Sequence, residues 1–78
     1  MKRLSDLSVG QSAVIHSFEI DDIFIKLMEM GCVPGEKVTV EQKATLGDPI
    51  SISVSGYHLS LRKNEANSIF VENVEAHK

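Results

Sequence analysis

Between Ile50 and Arg62 the chain alternates apolar and polar residues and interrupts the pattern once, at Ser55-Gly56. Ile50, Ile52 and Val54 face one way, and Ser51 and Ser53 the other. Past the interruption, Tyr57, Leu59 and Leu61 alternate with His58, Ser60 and Arg62. A period of two marks a half-buried strand. Two such runs joined by a two-residue turn former predict a tight hairpin. This restricts the chain to folds that bury one face of a twisted sheet. Glu36 to Lys43 adds a third run, with Val38 and Val40 opposed to Lys37, Thr39 and Glu41. Ala13-Val14-Ile15, continued by Phe18, predicts a first strand. Ile69, Val71 and Val74, with Phe70 on the other face, predict a last one. Strands this short leave edges open to pairing unless the sheet closes. The pattern therefore predicts a mainly β fold, a small, partly open barrel of five strands. At 78 residues, this is a single domain over 1–78.

One segment departs from the period of two. Ile20, Ile23, Phe24, Leu27 and Met28 fall at i, i+3, i+4, i+7 and i+8, the apolar stripe of one α-helix inserted after the first strand. Asp21 or Asp22 can cap its start. Gly31 suits a left-handed cap at its end. Pro34-Gly35 then supplies the two corners of a type II turn into the next strand. Ile25 and Met30 lie off the stripe. Each apolar residue here has an ordinary place in a core. As a group at the helix end, however, they present more apolar surface than a short helix needs, and methionine suits adaptable contacts. Elsewhere, Leu4 and Leu7 read as a lid on the core, Ala44 to Pro49 as a loop, Lys63 to Asn67 as one helical turn, and Glu75 to Lys78 as a frayed tail.

The chemistry of the chain is mostly exclusions. A net charge of −3 disfavours nucleic acid, which asks for a basic face. The aromatic residues Phe18, Phe24, Phe70 and Tyr57 are few, and most are expected inside, which leaves little to stack bases. Arg62-Lys63 is the best local basic patch. Cys32 is the lone cysteine, so no disulfide staples the domain and a reducing, cytoplasmic location is expected. No signal peptide, direct membrane insertion or membrane-spanning stretch is expected. His16, His58 and His77 do not fall at metal-ligand spacings, and Cys32 has no cysteine partner; no metal site and no cofactor are expected. Asp21 and Asp22, adjacent on a helix, do not face each other as a catalytic pair would. No phosphate loop or nucleophile elbow occurs. The chain reads as a non-enzyme.

Four stretches in this order and spacing carry a family resemblance. They are Leu4-Ser5-Asp6-Leu7 with Gly10; Leu27-Met28-Glu29-Met30-Gly31 followed by Pro34-Gly35; Leu46-Gly47-Asp48-Pro49-Ile50; and Leu59-Ser60-Leu61-Arg62 with Glu65-Ala66 and Ile69. On these, from Leu4 to Val71, the chain resembles the ferrous-iron transport protein A, or FeoA, family. The resemblance implies an SH3-like barrel with an inserted helix. It implies a small cytoplasmic accessory or regulatory protein of bacterial ferrous-iron uptake, acting by protein–protein contact with FeoB, a membrane transporter with a GTP-binding domain. Carried over by position, the partner-binding candidates are Leu27, Met28, Met30 and Gly31 at the helix end, and Arg62 in the Leu-Arg step. Gly47, Asp48 and Pro49 match the family loop, which also reads as a plain turn. The chain departs from relatives in having Asp21, Asp22 and Ile25 where many carry basic residues, which favours apolar docking. Cys32 stands where a larger apolar residue is common. The alternative is a metal-responsive regulatory domain resembling the C-terminal domain of iron-dependent repressors, although no helix-turn-helix pattern precedes the barrel. An open strand edge or the helix flank could also support a weak homo-oligomer.

Overall fold

The hairpin is present as the alternation predicts. In a computed structural model, which describes residues 1–19 and 22–76, Ile50–Val54 pairs antiparallel with Tyr57–Leu61 in register Ile52↔Leu59. Ser55 and Gly56 both take positive φ, 52° and 80°. This is the two-residue turn whose twist matches that of the flanking strands. Chain order gives β1 (Lys2–Arg3), β2 (Ser12–Phe18), α1 (Phe24–Glu29), β3 (Lys37–Lys43), β4 (Ile50–Val54), β5 (Tyr57–Leu61), α2 (Lys63–Asn67) and β6 (Ile69–Glu75), with 3-10 turns at Leu4–Asp6 and Thr45–Gly47. The strands form one antiparallel sheet of order β1-β6-β2-β3-β4-β5.

The five expected strands are therefore β2 to β6, with the helix after the first of them. The two-residue β1 is additional: it pairs Lys2↔Val71 and Arg3↔Phe70. Two residues with no apolar alternation give no strand signal. What holds them is Arg3, whose guanidinium lies 4.8 Å from the centre of the Phe70 ring. It also donates to the Asn67 carbonyl at 2.6 Å and pairs with Glu19. Glu75, expected in a frayed tail, instead closes β6 opposite Ser12.

The inward faces make one core: Ala13 and Ile15 of β2, Val38 and Val40 of β3, Ile50, Ile52 and Val54 of β4, Leu61 of β5, and Ile69 and Val71 of β6. Leu4 and Leu7 are fully buried in it as the expected lid. Tyr57 breaks the inward pattern of β5, because at the hairpin's end it is 65% exposed. Nor is any phenylalanine fully covered: Phe18, Phe24 and Phe70 are half-buried. The opening of the barrel lies between the unpaired edges β1 and β5. There α2 and the Leu4–Asp6 turn pack on each other, joined by Ser5 Oγ donating to Asn67 Oδ1 at 2.9 Å.

Candidate interaction surface

The corner that follows α1 is built from sequence signals already named. Gly31 has φ 106°. Its N–H donates to the Met28 carbonyl at 3.1 Å, and the Cys32 N–H to the Leu27 carbonyl at 3.0 Å. These two bonds together are a Schellman cap, and its usual apolar contact is supplied by Leu27 and Cys32, both fully buried. Next, the Glu36 N–H donates to the Val33 carbonyl at 3.1 Å around Pro34 and Gly35, with Gly35 at φ 93°. This is the type II turn into β3. The start of the helix is less like the expectation. Ile23 occupies the cap position, with no side-chain cap bond. Asp22 lies in the turn before it, and Ile20 and Asp21 fall outside the described residues.

The apolar residues of α1 divide by direction. Leu27 is 0% exposed, and Ile23 and Met30 pack partly buried against the same core. Met28 is 41% and Ile25 60% exposed. Phe24 and Met28, one turn apart, join Phe18 from the end of β2 and Pro34 from the turn. With His16, Ser17 and Glu19 they line an open depression of about 300 Å³. Of the partner-binding candidates, then, Met28 lines this groove. Leu27 is buried in the core, Met30 and Gly31 belong to the helix cap, and Arg62, exposed at the start of α2, is not among the residues that line it. Sequence reasoning omitted Phe18, Phe24 and Pro34 from the site. They come from three segments, and no period in one segment announces a groove among three.

Beside this corner, α1 is tied to α2 by a charge. Glu65 is 7% exposed. Its Oε1 accepts the Arg62 N–H at 2.8 Å, as the carboxylate of a capping box does, and its Oε2 accepts from Lys26 Nζ at 3.3 Å. The Arg62 N–H holds the carboxyl below the usual carboxylate range against the effect of burial, and Lys26 assists. Arg62 thus meets Glu65 through its backbone, and the side-chain cation that reaches Glu65 is Lys26. Burial pushes the Cys32 thiol up to about 11, and the Glu65 charge adds to this. Such a thiol is a poor nucleophile and a poor ligand. His58 Nδ1 lies 2.7 Å from Glu41 Oε1 on the sheet exterior. Among the described residues, no three histidine, cysteine, aspartate or glutamate side chains gather where they could hold a metal ion. Nor is any helix among them long and apolar enough to cross a membrane.

The model of the FeoA domain matches residues 2–73. The chain belongs to the FeoA family. It is 44% identical over 71 residues, 90% of its length, to the Fe(2+) transport protein A/Fe(2+) transporter FeoB fusion protein of Porphyromonas gingivalis, and spans 8% of that relative's length. The FeoA fold here superposes on FeoA of Stenotrophomonas maltophilia, a prokaryotic SH3-domain protein solved with zinc, at a TM-score of 0.87 and 30% identity, covering 100% of both chains. A manganese-dependent transcriptional repressor in complex with manganese shares the FeoA fold at a TM-score of 0.83. That likeness covers 90% of this chain and 35% of that one, at 16% identity, and is one of fold alone.

Proposed function

We propose that this chain is a cytoplasmic accessory protein of bacterial ferrous-iron uptake. It works as a single domain without catalysis of its own, by binding the cytoplasmic, GTP-binding part of a FeoB-type transporter. The observation that carries this reading is the relative in which transport protein A and FeoB form one polypeptide. Fusing two modules raises their effective concentration for each other, which serves modules that bind. The α1 corner supports the reading with an exposed apolar groove on a rigid cap, around Phe18, Phe24, Met28 and Pro34. By holding one nucleotide-dependent shape of the transporter more tightly than another, the chain shifts the balance between them.

Calorimetric titration of the chain into the transporter's cytoplasmic domain tests this. The native chain binds, and Met28→Asp, which places a charge in the groove, binds about tenfold or more weakly. No binding by the native chain would refute the reading. A metal-responsive role draws on the fold likeness to the repressor. Equilibrium dialysis with ferrous iron, manganese and zinc separates the two readings, since stoichiometric binding that vanishes in His58→Ala or Cys32→Ala would favour the second.

A further inference from the structure

The groove beside α1 has a strand edge along one bank. His16, Ser17, Phe18 and Glu19 follow one another along its lining, and the rest of that lining is Phe24, Met28 and Pro34. On one side this end of β2 is held by β6. Ser17 lies opposite Phe70 and Phe18 opposite Ile69, and the Glu19 N–H donates to the Ser68 carbonyl at 2.8 Å. Successive residues of an antiparallel strand turn their backbone groups to opposite edges. With Glu19 turned toward β6, Phe18 turns its N–H and carbonyl the other way. Ile15 uses that same edge: its N–H donates to the Glu36 carbonyl at 2.9 Å, and its carbonyl accepts the Gly35 N–H at 2.8 Å. Ile15 and Phe18 share an edge across an odd spacing because the register with β6 shifts between Ile15 and Ser17, as at a bulge.

Along this edge β3 stops short. Its pairing with β2 ends at Val14↔Lys37, and the last bond beyond it is the one from Gly35. Pro34 comes next and has no N–H to offer. Among the described residues, no backbone group is bonded to Phe18 on this edge. An unpaired edge accepts a further strand. β1 and β5 also end the sheet, but they flank the opening where α2 and the Leu4–Asp6 turn pack. At Phe18 the free edge instead borders apolar side chains, Phe24 and Met28 of α1 and Pro34 of the turn. An occupant matched to this groove offers a donor, an acceptor and apolar surface together. An acyl chain has neither polar group, and a helix spends its backbone groups internally. An extended peptide has all three, which is how strand addition recognises its ligands. The residue opposite Phe18 then points its side chain to the same face as the Phe18 ring, and its two neighbours point to the other face.

We propose that the groove binds an extended segment of the transporter, which adds to the free edge of β2 at Phe18 and inserts one apolar side chain between that edge and α1. The proposal rests on the transporter reading above. Its test titrates the nitrogen-15-labelled chain with the transporter's unlabelled cytoplasmic domain and follows the amides by NMR. On binding, the Phe18 amide proton moves downfield and exchanges with solvent about tenfold or more slowly, as a newly bonded amide does. The Glu19 amide, already bonded to Ser68, changes little. Met28→Asp, which leaves the edge in place and puts a charge beside it, loses both the binding and the change at Phe18. If the native chain binds, Met28→Asp does not, and the Phe18 amide keeps its free-chain shift and rate, strand addition is overturned and the transporter reading survives. Native affinity in Met28→Asp takes the binding out of the groove and overturns the proposal. No binding by the native chain overturns the transporter reading and the proposal together. A Phe18 amide that slows as the concentration of the chain alone is raised would assign the edge to a second copy and overturn the proposal.

Discussion

Leu27 and Met28 are consecutive and chemically alike, yet one is 0% and the other 41% exposed. A step of about 100° around the helix axis separates core from surface. Leu27→Ala therefore lowers the stability of the free chain by about 2–5 kcal/mol, whereas Met28→Ala changes it by about 0.5 kcal/mol or less. Urea unfolding of both variants checks the contrast. The sequence shows that both residues lie near the apolar stripe, but it does not show where the axis of burial falls once the helix docks. That axis runs through Ile23, Leu27 and Met30, and it leaves Phe24 and Met28 to the groove. Glu65 gives a second test. Its folded pKa lies below the ordinary value of 4.5, through the Arg62 N–H first and Lys26 after it. A lowered folded pKa contributes stability that is complete above the unfolded value and is lost as pH falls through the folded one. Native unfolding midpoints should therefore drop as pH falls below about 4.5. In Glu65→Gln that drop is shallower, and at pH 7 the variant is less stable by about 1 kcal/mol.

At the scale of elements, α1 has six residues, too few to persist in water by itself. It is held by the Schellman cap, by Leu27 and by the Lys26–Glu65 pair. The hairpin was legible because alternation, turn residues and pairing all coincide there. β1 was not, because it exists through its neighbour and through Arg3. This makes Arg3 a test of the element. Arg3→Ala removes the contact to the Phe70 ring, the bond to the Asn67 carbonyl and the pair with Glu19. It costs about 1–2 kcal/mol. Hydrogen exchange should accelerate at the amides of β1 more than at those of β4. The β4–β5 turn offers a gain instead. Ser55 sits at φ 52°, where asparagine is better tolerated. Ser55→Asn should raise the melting temperature by a few degrees, about what 0.5 kcal/mol yields in a domain of this size.

At the scale of the whole molecule, the barrel was legible and its closure was not. Five alternating runs fix how many strands share a core. They do not show that α2 and the Leu4–Asp6 turn fill the gap between β1 and β5, since that contact joins residues about sixty positions apart, Ser5 and Asn67. The pairing of β1 with β6 has a consequence for attachment. β1 runs antiparallel to β6, with Lys2 opposite Val71. The chain before Lys2 and the chain after Val71 therefore head the same way, toward the Ser12–Glu75 end of the sheet. The cleft beside Phe18 opens at the other end, where Phe18 meets Ile69. A leash spliced to either terminus would leave from the rear of the barrel, with the cleft facing outward.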